Sequence, residues 1–113
     1  MHELSLAENI LQLIEDAARQ QRFTQVEVVW LEIGQLACIE HESLRFFFDI
    51  VKQDTIAREA KLEIIEITGQ GTGDQCHQTI TVSSYVTACP HCGNYAVTIT
   101  QGEEMRMSAL EVK

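Results

Sequence analysis

No stretch of this 113-residue chain is apolar for long enough to span a membrane, which in helical form takes about 20 residues. The first residues also lack the basic cluster and the apolar run of a secretory signal, so the expected location is the cytoplasm. Positive charge is scarce: eight Lys and Arg stand against 17 Asp and Glu, for a net charge of −9. Such a chain repels phosphate backbones and is a poor fit to general nucleic-acid binding. Acidity favours solubility and attracts cations, but does not say which. No internal repeat or low-complexity tract stands out. Neither do paired carboxylates, an activated nucleophile or a phosphate-binding loop, so the chain reads as a binding protein and not as an enzyme. What remains is ordinary: 45% apolar residues, as in globular proteins generally, and a length that suits one domain or a small domain with an insert.

Periodicity supplies the elements. Leu6, Ile10, Leu13, Ile14 and Ala17 predict an amphipathic helix over 5–22. Ser5 and Glu8 fit a capping box at its start, which would leave residues 1–4 outside the helix. A strand is expected over 25–33, apolar on both faces, with Gly34 ending it. A second helix is expected over 41–52, with Leu44, Phe47, Phe48 and Val51 as its stripe and Phe46 and Ile50 widening it into the core. Residues 61–68 and 105–112 read as further strands, the second with Met105 and Met107 as packing residues.

The segment 69–100 differs in character. It has no Lys or Arg, and Asp74 is its only acid. It opens with Gly69-Gln70-Gly71-Thr72-Gly73, expected to be flexible. Short Thr/Val/Ile-rich runs at 79–82 and 96–100 suit hairpin strands. Its apolar content is low for a core of its own, so a staple is needed. Three of the chain's four cysteines lie here. Cys89-Pro90-His91-Cys92-Gly93 is a knuckle that puts two thiolates on one tight turn, and Cys76 lies thirteen residues upstream. In a cytosolic setting such cysteines bind metal more often than they form disulfides. Zinc asks for four ligands in a tetrahedron. A full ribbon would place a fourth cysteine at position 73, which is Gly73. The fourth ligand therefore stays open among His77, Asp74, water and a residue of a second chain, with His91 expected to point away. A thioredoxin-like redox reading of Cys89 and Cys92 would need a helix starting at the motif, and the sequence after Gly93 predicts a strand. Cys38 stands alone and reads as a small hydrophobe.

The start of the chain carries a second cluster of donors. In Met1-His2-Glu3 the α-amine, the His2 backbone nitrogen and one imidazole nitrogen can chelate a single ion. A nitrogen set of this kind suits Ni(II) or Cu(II) better than Zn(II) or Mg(II). His2 also favours retention of Met1, because removal of an initiator methionine needs a small second residue.

The chain as a whole resembles the hydrogenase nickel-incorporation proteins, the HypA/HybF family. The resemblance rests on Met1-His2-Glu3-Leu4-Ser5-Leu6, on Val28-Val29-Trp30-Leu31-Glu32-Ile33-Gly34, on Cys38-Ile39-Glu40 and on Ser43-Leu44-Arg45-Phe46 to Phe48-Asp49. It continues through Cys89-Pro90-His91-Cys92 to Ile99-Thr100-Gln101-Gly102-Glu103-Glu104-Met105-Arg106. It implies an α/β fold: a nickel domain over 1–68 and 101–113, with a small mixed three-stranded sheet and two helices, and an inserted zinc-ribbon-like hairpin segment over 69–100. The implied role is a metallochaperone that carries Ni(II) to the large subunit of nickel-iron hydrogenase and works with a maturation GTPase. Some members also serve urease through its accessory proteins. The implied nickel ligands are Met1, His2 and Glu3, with Glu40 in assistance. The implied zinc ligands are Cys76, Cys89 and Cys92. Gly73 departs from the family, which has a cysteine there. That departure motivates an alternative, an adaptor that docks the GTPase with degraded metal binding. A homodimer, including exchange of the inserted segment between chains, stays open.

Overall fold

The computed structural model describes residues 2–113. Helix α1 (Glu3–Gln21) is followed by strand β1 (Val26–Gly34), helix α2 (His41–Val51) and strands β2 (Lys61–Ile67), β3 (Gln70–Gly73), β4 (Thr79–Thr81), β5 (Val97–Gln101) and β6 (Met105–Val112). The strands form two three-stranded sheets, in the orders β2-β1-β6 and β4-β3-β5. The fold is α/β, as the sequence predicts.

α1 buries Ala7, Ile10 and Ile14, the spacing of one helical face. It does not begin at Ser5. His2 is its N-cap, without a side-chain capping bond, and the Leu6 N–H donates to the His2 carbonyl at 3.1 Å. Ser5 and Glu8 are exposed helical residues, so the expected capping box gives way to an earlier start. Glu3 accounts for this. A carboxylate in the first turn suits the positive end of the helix dipole, and this one also reaches the backbone of Glu40. At the other end Arg22 takes the left-handed conformation at φ 60° and its N–H closes on the Ala18 carbonyl at 2.7 Å.

α2 packs against α1 and buries Leu44 and Phe48, one turn apart. Phe46 lies about 200° around the helix from Leu44 and is 61% exposed, with Ile50 at 49%. The expected widening of the stripe fails for these two residues because only one side of the helix is covered. Phe46 instead meets Phe47 edge to face, with centroids 5.3 Å apart. In β1, Val26, Val29, Leu31 and Ile33 are fully buried. Its half-buried Trp30 donates its indole N–H to Glu111 at 3.3 Å.

The chain divides into two compact units. One holds the chain up to Leu31, then Ile39–Ile64 and Met107–Lys113. Its core combines Ala7, Ile10, Ile14, Leu44 and Phe48 with Val26, Val29, Leu31, Ala57, Ala60 and Leu62. The other holds Glu32–Cys38 and Ile65–Arg106 and so reaches beyond the expected 69–100 segment. The extension has a physical reason. Leu36, from outside that segment, joins Ile80, Val82 and Cys89 in a small core, with Cys76, Val97 and Ile99 against it.

The glycine-rich stretch expected to be flexible is the central strand β3. It pairs antiparallel with β4, Gly71 opposite Ile80, and with β5, Gly71 opposite Ile99. Glycine serves close approach here, not freedom: a Cβ on Gly71 would lie 2.8 Å from the Thr98 carbonyl oxygen and 2.8 Å from Val97 Cγ1.

Candidate metal centres

Two tight turns present the ribbon cysteines. After β3 the chain reverses so that the Gly73 N–H donates to the Gln78 carbonyl at 3.0 Å and the His77 N–H to the Gly73 carbonyl at 2.8 Å. Cys76 sits inside this turn. The second turn closes by Cys89 N–H to Asn94 at 2.8 Å and Gly93 N–H to Cys89 at 2.7 Å. Its last step has a positive φ of 73° at Gly93, a conformation glycine adopts without steric cost.

The three sulfurs of Cys76, Cys89 and Cys92 lie within 4.8 Å of one another, and Cys76 and Cys89 are 3.4 Å apart. Sulfurs at about 2.3 Å from a tetrahedral zinc stand about 3.8 Å from each other, so the three thiols need only small side-chain rotations to grip one ion. Burial opposes charge on Cys89, but the backbone N–H groups of His91 and Cys92 donate to its sulfur, as do the Cys76 and Cys92 thiols, and the net effect lowers its pKa. The Gln78 N–H stabilises the Cys76 thiolate. Burial and the adjacent Cys89 and Cys92 sulfurs outweigh that and raise its pKa. Cys89 thus lies on a turn whose amides already face its sulfur. A soft, partly preorganised sulfur set of this kind fits zinc.

Among the described residues no His, Asp or Glu joins the three sulfurs. His77 is exposed and left-handed at φ 58°. The Asp74 carboxylate accepts the Thr98 hydroxyl at 2.6 Å, and His91 is exposed. Gly73 lies at the sulfurs themselves: a Cβ there would be 2.9 Å from Cys76 Sγ and 3.1 Å from Cys89 Sγ. No helix follows Cys92, and the next regular element is β5, so the helix that a redox dithiol needs is missing from the described residues. Cys38 is exposed, with its thiol 3.6 Å from the Leu36 carbonyl, so it is not the buried hydrophobe expected.

The N-terminal donors gather in part. Met1 lies outside the described residues. His2 is exposed at the N-cap of α1. Glu3 Oε2 accepts the backbone N–H of Glu40, the N-cap of α2, at 3.5 Å. Two acids 37 positions apart in sequence therefore meet where both helices begin. The earlier start of α1 leaves the His2 N–H outside the helix's own hydrogen bonds, because a helix makes no intrahelical use of its N-cap N–H.

The contribution that sequence reasoning missed is Leu36. Leu36 had only the signal of one apolar residue in a loop.

No helix of the described residues is long and apolar enough to cross a membrane. The family model described as hydrogenase/urease nickel incorporation, metallochaperone, HypA matches residues 1–112. The hydrogenase maturation factor HypA of Azotobacter chroococcum mcd 1 is 47% identical over 113 residues, the whole of both chains. That of Albidiferax ferrireducens is 48% identical over the same length, again the whole of both. The solution structure of the nickel metallochaperone HypA from Helicobacter pylori superimposes with a TM-score of 0.72 at 24% identity, covering 99% of this chain and 97% of that one. The chain belongs to the HypA family of hydrogenase and urease nickel-incorporation metallochaperones, maturation factors and not enzymes.

Proposed function

We propose that this chain carries Ni(II) on the Met1 amine, the His2 backbone and imidazole nitrogens, and the carboxylates of Glu3 and Glu40, and delivers it to the large subunit of nickel-iron hydrogenase. The observation that carries this reading is the meeting of Glu3 with the backbone of Glu40 at 3.5 Å. The two helix starts at Glu3 and His41 each present a positive dipole end, which by itself repels a cation. Glu3, Glu40 and Glu42 supply the negative charge that offsets it. The chelate nitrogens must lose protons to bind, so nickel affinity falls as pH falls. Release to an acceptor proceeds by ligand exchange, which the exposure of His2 and Glu40 permits. The partners in this reading are a maturation GTPase and the hydrogenase large subunit, acting in the cytoplasm.

In the same reading residues 1–68 and 101–113 are the nickel domain. Cys76, Cys89 and Cys92 hold a resident zinc, which when bound supplies a crosslink between the two turns. Calorimetry of untagged protein tests the nickel site. Wild type binds Ni(II), whereas His2→Ala and a variant extended before Met1 do not. Equal affinity in the His2→Ala variant would falsify it. The adaptor reading is favoured by one observation, glycine at position 73. It predicts neither zinc nor nickel in stoichiometric amounts when untagged protein is analysed for metals.

A further inference from the structure

We propose that the three-cysteine centre keeps one coordination position open, and that this position takes a monodentate thiolate from outside the ribbon. The inference rests on the reading of Cys76, Cys89 and Cys92 as metal ligands and goes beyond it.

Gly73 is the structural reason. A Cβ at that position would point into the sulfur cluster, 2.9 Å from Cys76 Sγ and 3.1 Å from Cys89 Sγ. A side chain there would crowd the Cys76 and Cys89 sulfurs, and glycine contributes no donor atom to complete the set of three. The neighbours that could compensate do not. The Asp74 carboxylate is engaged by the Thr98 hydroxyl at 2.6 Å, and its amide N–H donates to Ala96 at 2.9 Å. The His77 N–H is tied to the Gly73 carbonyl at 2.8 Å, and its exposed side chain does not reach all three sulfurs. His91 is likewise outside the cluster. Access exists, because Cys92 is exposed while Cys89 is buried.

Metal sites with three protein ligands complete their tetrahedron with water or an incoming ligand, whereas closed structural sites have four. Three thiolates make the site soft, which favours sulfur over oxygen in the fourth position. The exchange involves no redox change. The incoming thiol gives its S–H proton to solvent, its sulfur forms the new metal bond, and the bound water leaves.

Cobalt(II) loaded under anaerobic conditions in place of zinc makes the position visible. The untagged full chain, held dilute, is titrated with 2-mercaptoethanol while the visible d–d bands are followed, with imidazole as a control ligand. The expected result is a saturable spectral shift at one thiol per cobalt, stronger than any produced by imidazole. Gly73→Cys should show the thiol-saturated spectrum from the start and no further shift. Should that variant fail to fold, the wild-type titration alone decides the matter. If cobalt binds and the spectrum ignores the thiol, or if the thiol strips the metal, the position is not open and the inference falls. A shift that emerges only in His77→Ala or Asp74→Ala would overturn it too, and would name the residue that closes the position. If the spectrum in the absence of added thiol is already four-sulfur at high protein concentration and reverts on dilution, the position is open and its thiolate comes from a second copy of the chain. Absence of any cobalt binding by the three cysteines would instead overturn the metal reading on which the inference stands.

Discussion

The carboxylate of Glu3 accepts the backbone N–H of Glu40 at 3.5 Å, tying the first turn of α1 to the first turn of α2. At that length the bond is weak, so its larger effect is electrostatic, placing negative charge between two helix N-termini. Glu3→Gln keeps an acceptor of the same shape and removes the charge. Nickel affinity is expected to fall roughly 10–100-fold, the usual cost of losing a carboxylate that ligates or orients a metal site, with little change in melting temperature. Calorimetry and thermal melts of the same sample separate the two effects. A large loss of stability without loss of nickel affinity would assign Glu3 to folding alone.

Phe46 and Phe48 make a paired test of which side of α2 is covered. Phe48 is fully buried and Phe46 is 61% exposed. Phe48→Ala is expected to cost about 3–5 kcal/mol. Phe46→Ala should stay within about 0.5 kcal/mol of wild type, as surface substitutions do. Urea denaturation of both variants checks this, and equal losses would mean that α2 is rotated from the orientation described.

Periodicity made α1, β1, α2, β2 and β6 legible to within about two residues, because each carries apolar residues at a helical or strand spacing. It failed where one interaction outweighs pattern. Ser5-x-x-Glu8 has the composition of a cap, yet α1 begins two residues earlier, with Glu3 in its first turn at the positive end of the helix dipole. Gly69 to Gly73 has the composition of a loop, yet the absence of Cβ atoms is what lets β4 and β5 close on it. Phe46 looked like core because every aromatic in a helix does, and only the packing partner decides which face is covered. The cysteine turn was readable in advance because its chemistry is local: a pair of thiols on one short turn, with a glycine directly after. Gly73 was legible as a missing ligand, but its position against the sulfurs was not.

Cys89 and Cys92 separate the metal's contribution from the core's. Cys89 is 1% exposed and packs with Leu36, Ile80 and Val82, whereas Cys92 is exposed. Cys92→Ser should lower zinc content and reduce stability only to the level of chelator-treated wild type. Cys89→Ser should fall below that level, because it also places a hydroxyl in an apolar cluster. Thermal melts with and without chelator, read beside metal analysis, distinguish them. Identical behaviour of the two variants would mean that the ribbon has no core apart from its metal.

Glu104 should set part of the acid sensitivity of the ribbon unit. Its own backbone N–H and that of Gly102, at 2.6 Å, donate to the carboxylate. Partial burial opposes them and Arg106 adds attraction, for a net pKa below the ordinary 4.5. Hydrogen bonds to the charged form favour it, so Glu104 stabilises the fold most above the unfolded-state pKa. That contribution is lost as pH falls through the depressed folded value. Glu104→Gln is expected to be less stable than wild type at pH 7, with the gap narrowing once the pH drops below about 4. Unfolding midpoints measured in parallel from neutral to acid pH check the sign. A gap that is constant with pH would show that the hydrogen bonds, and not the charge, hold Gly102 in place.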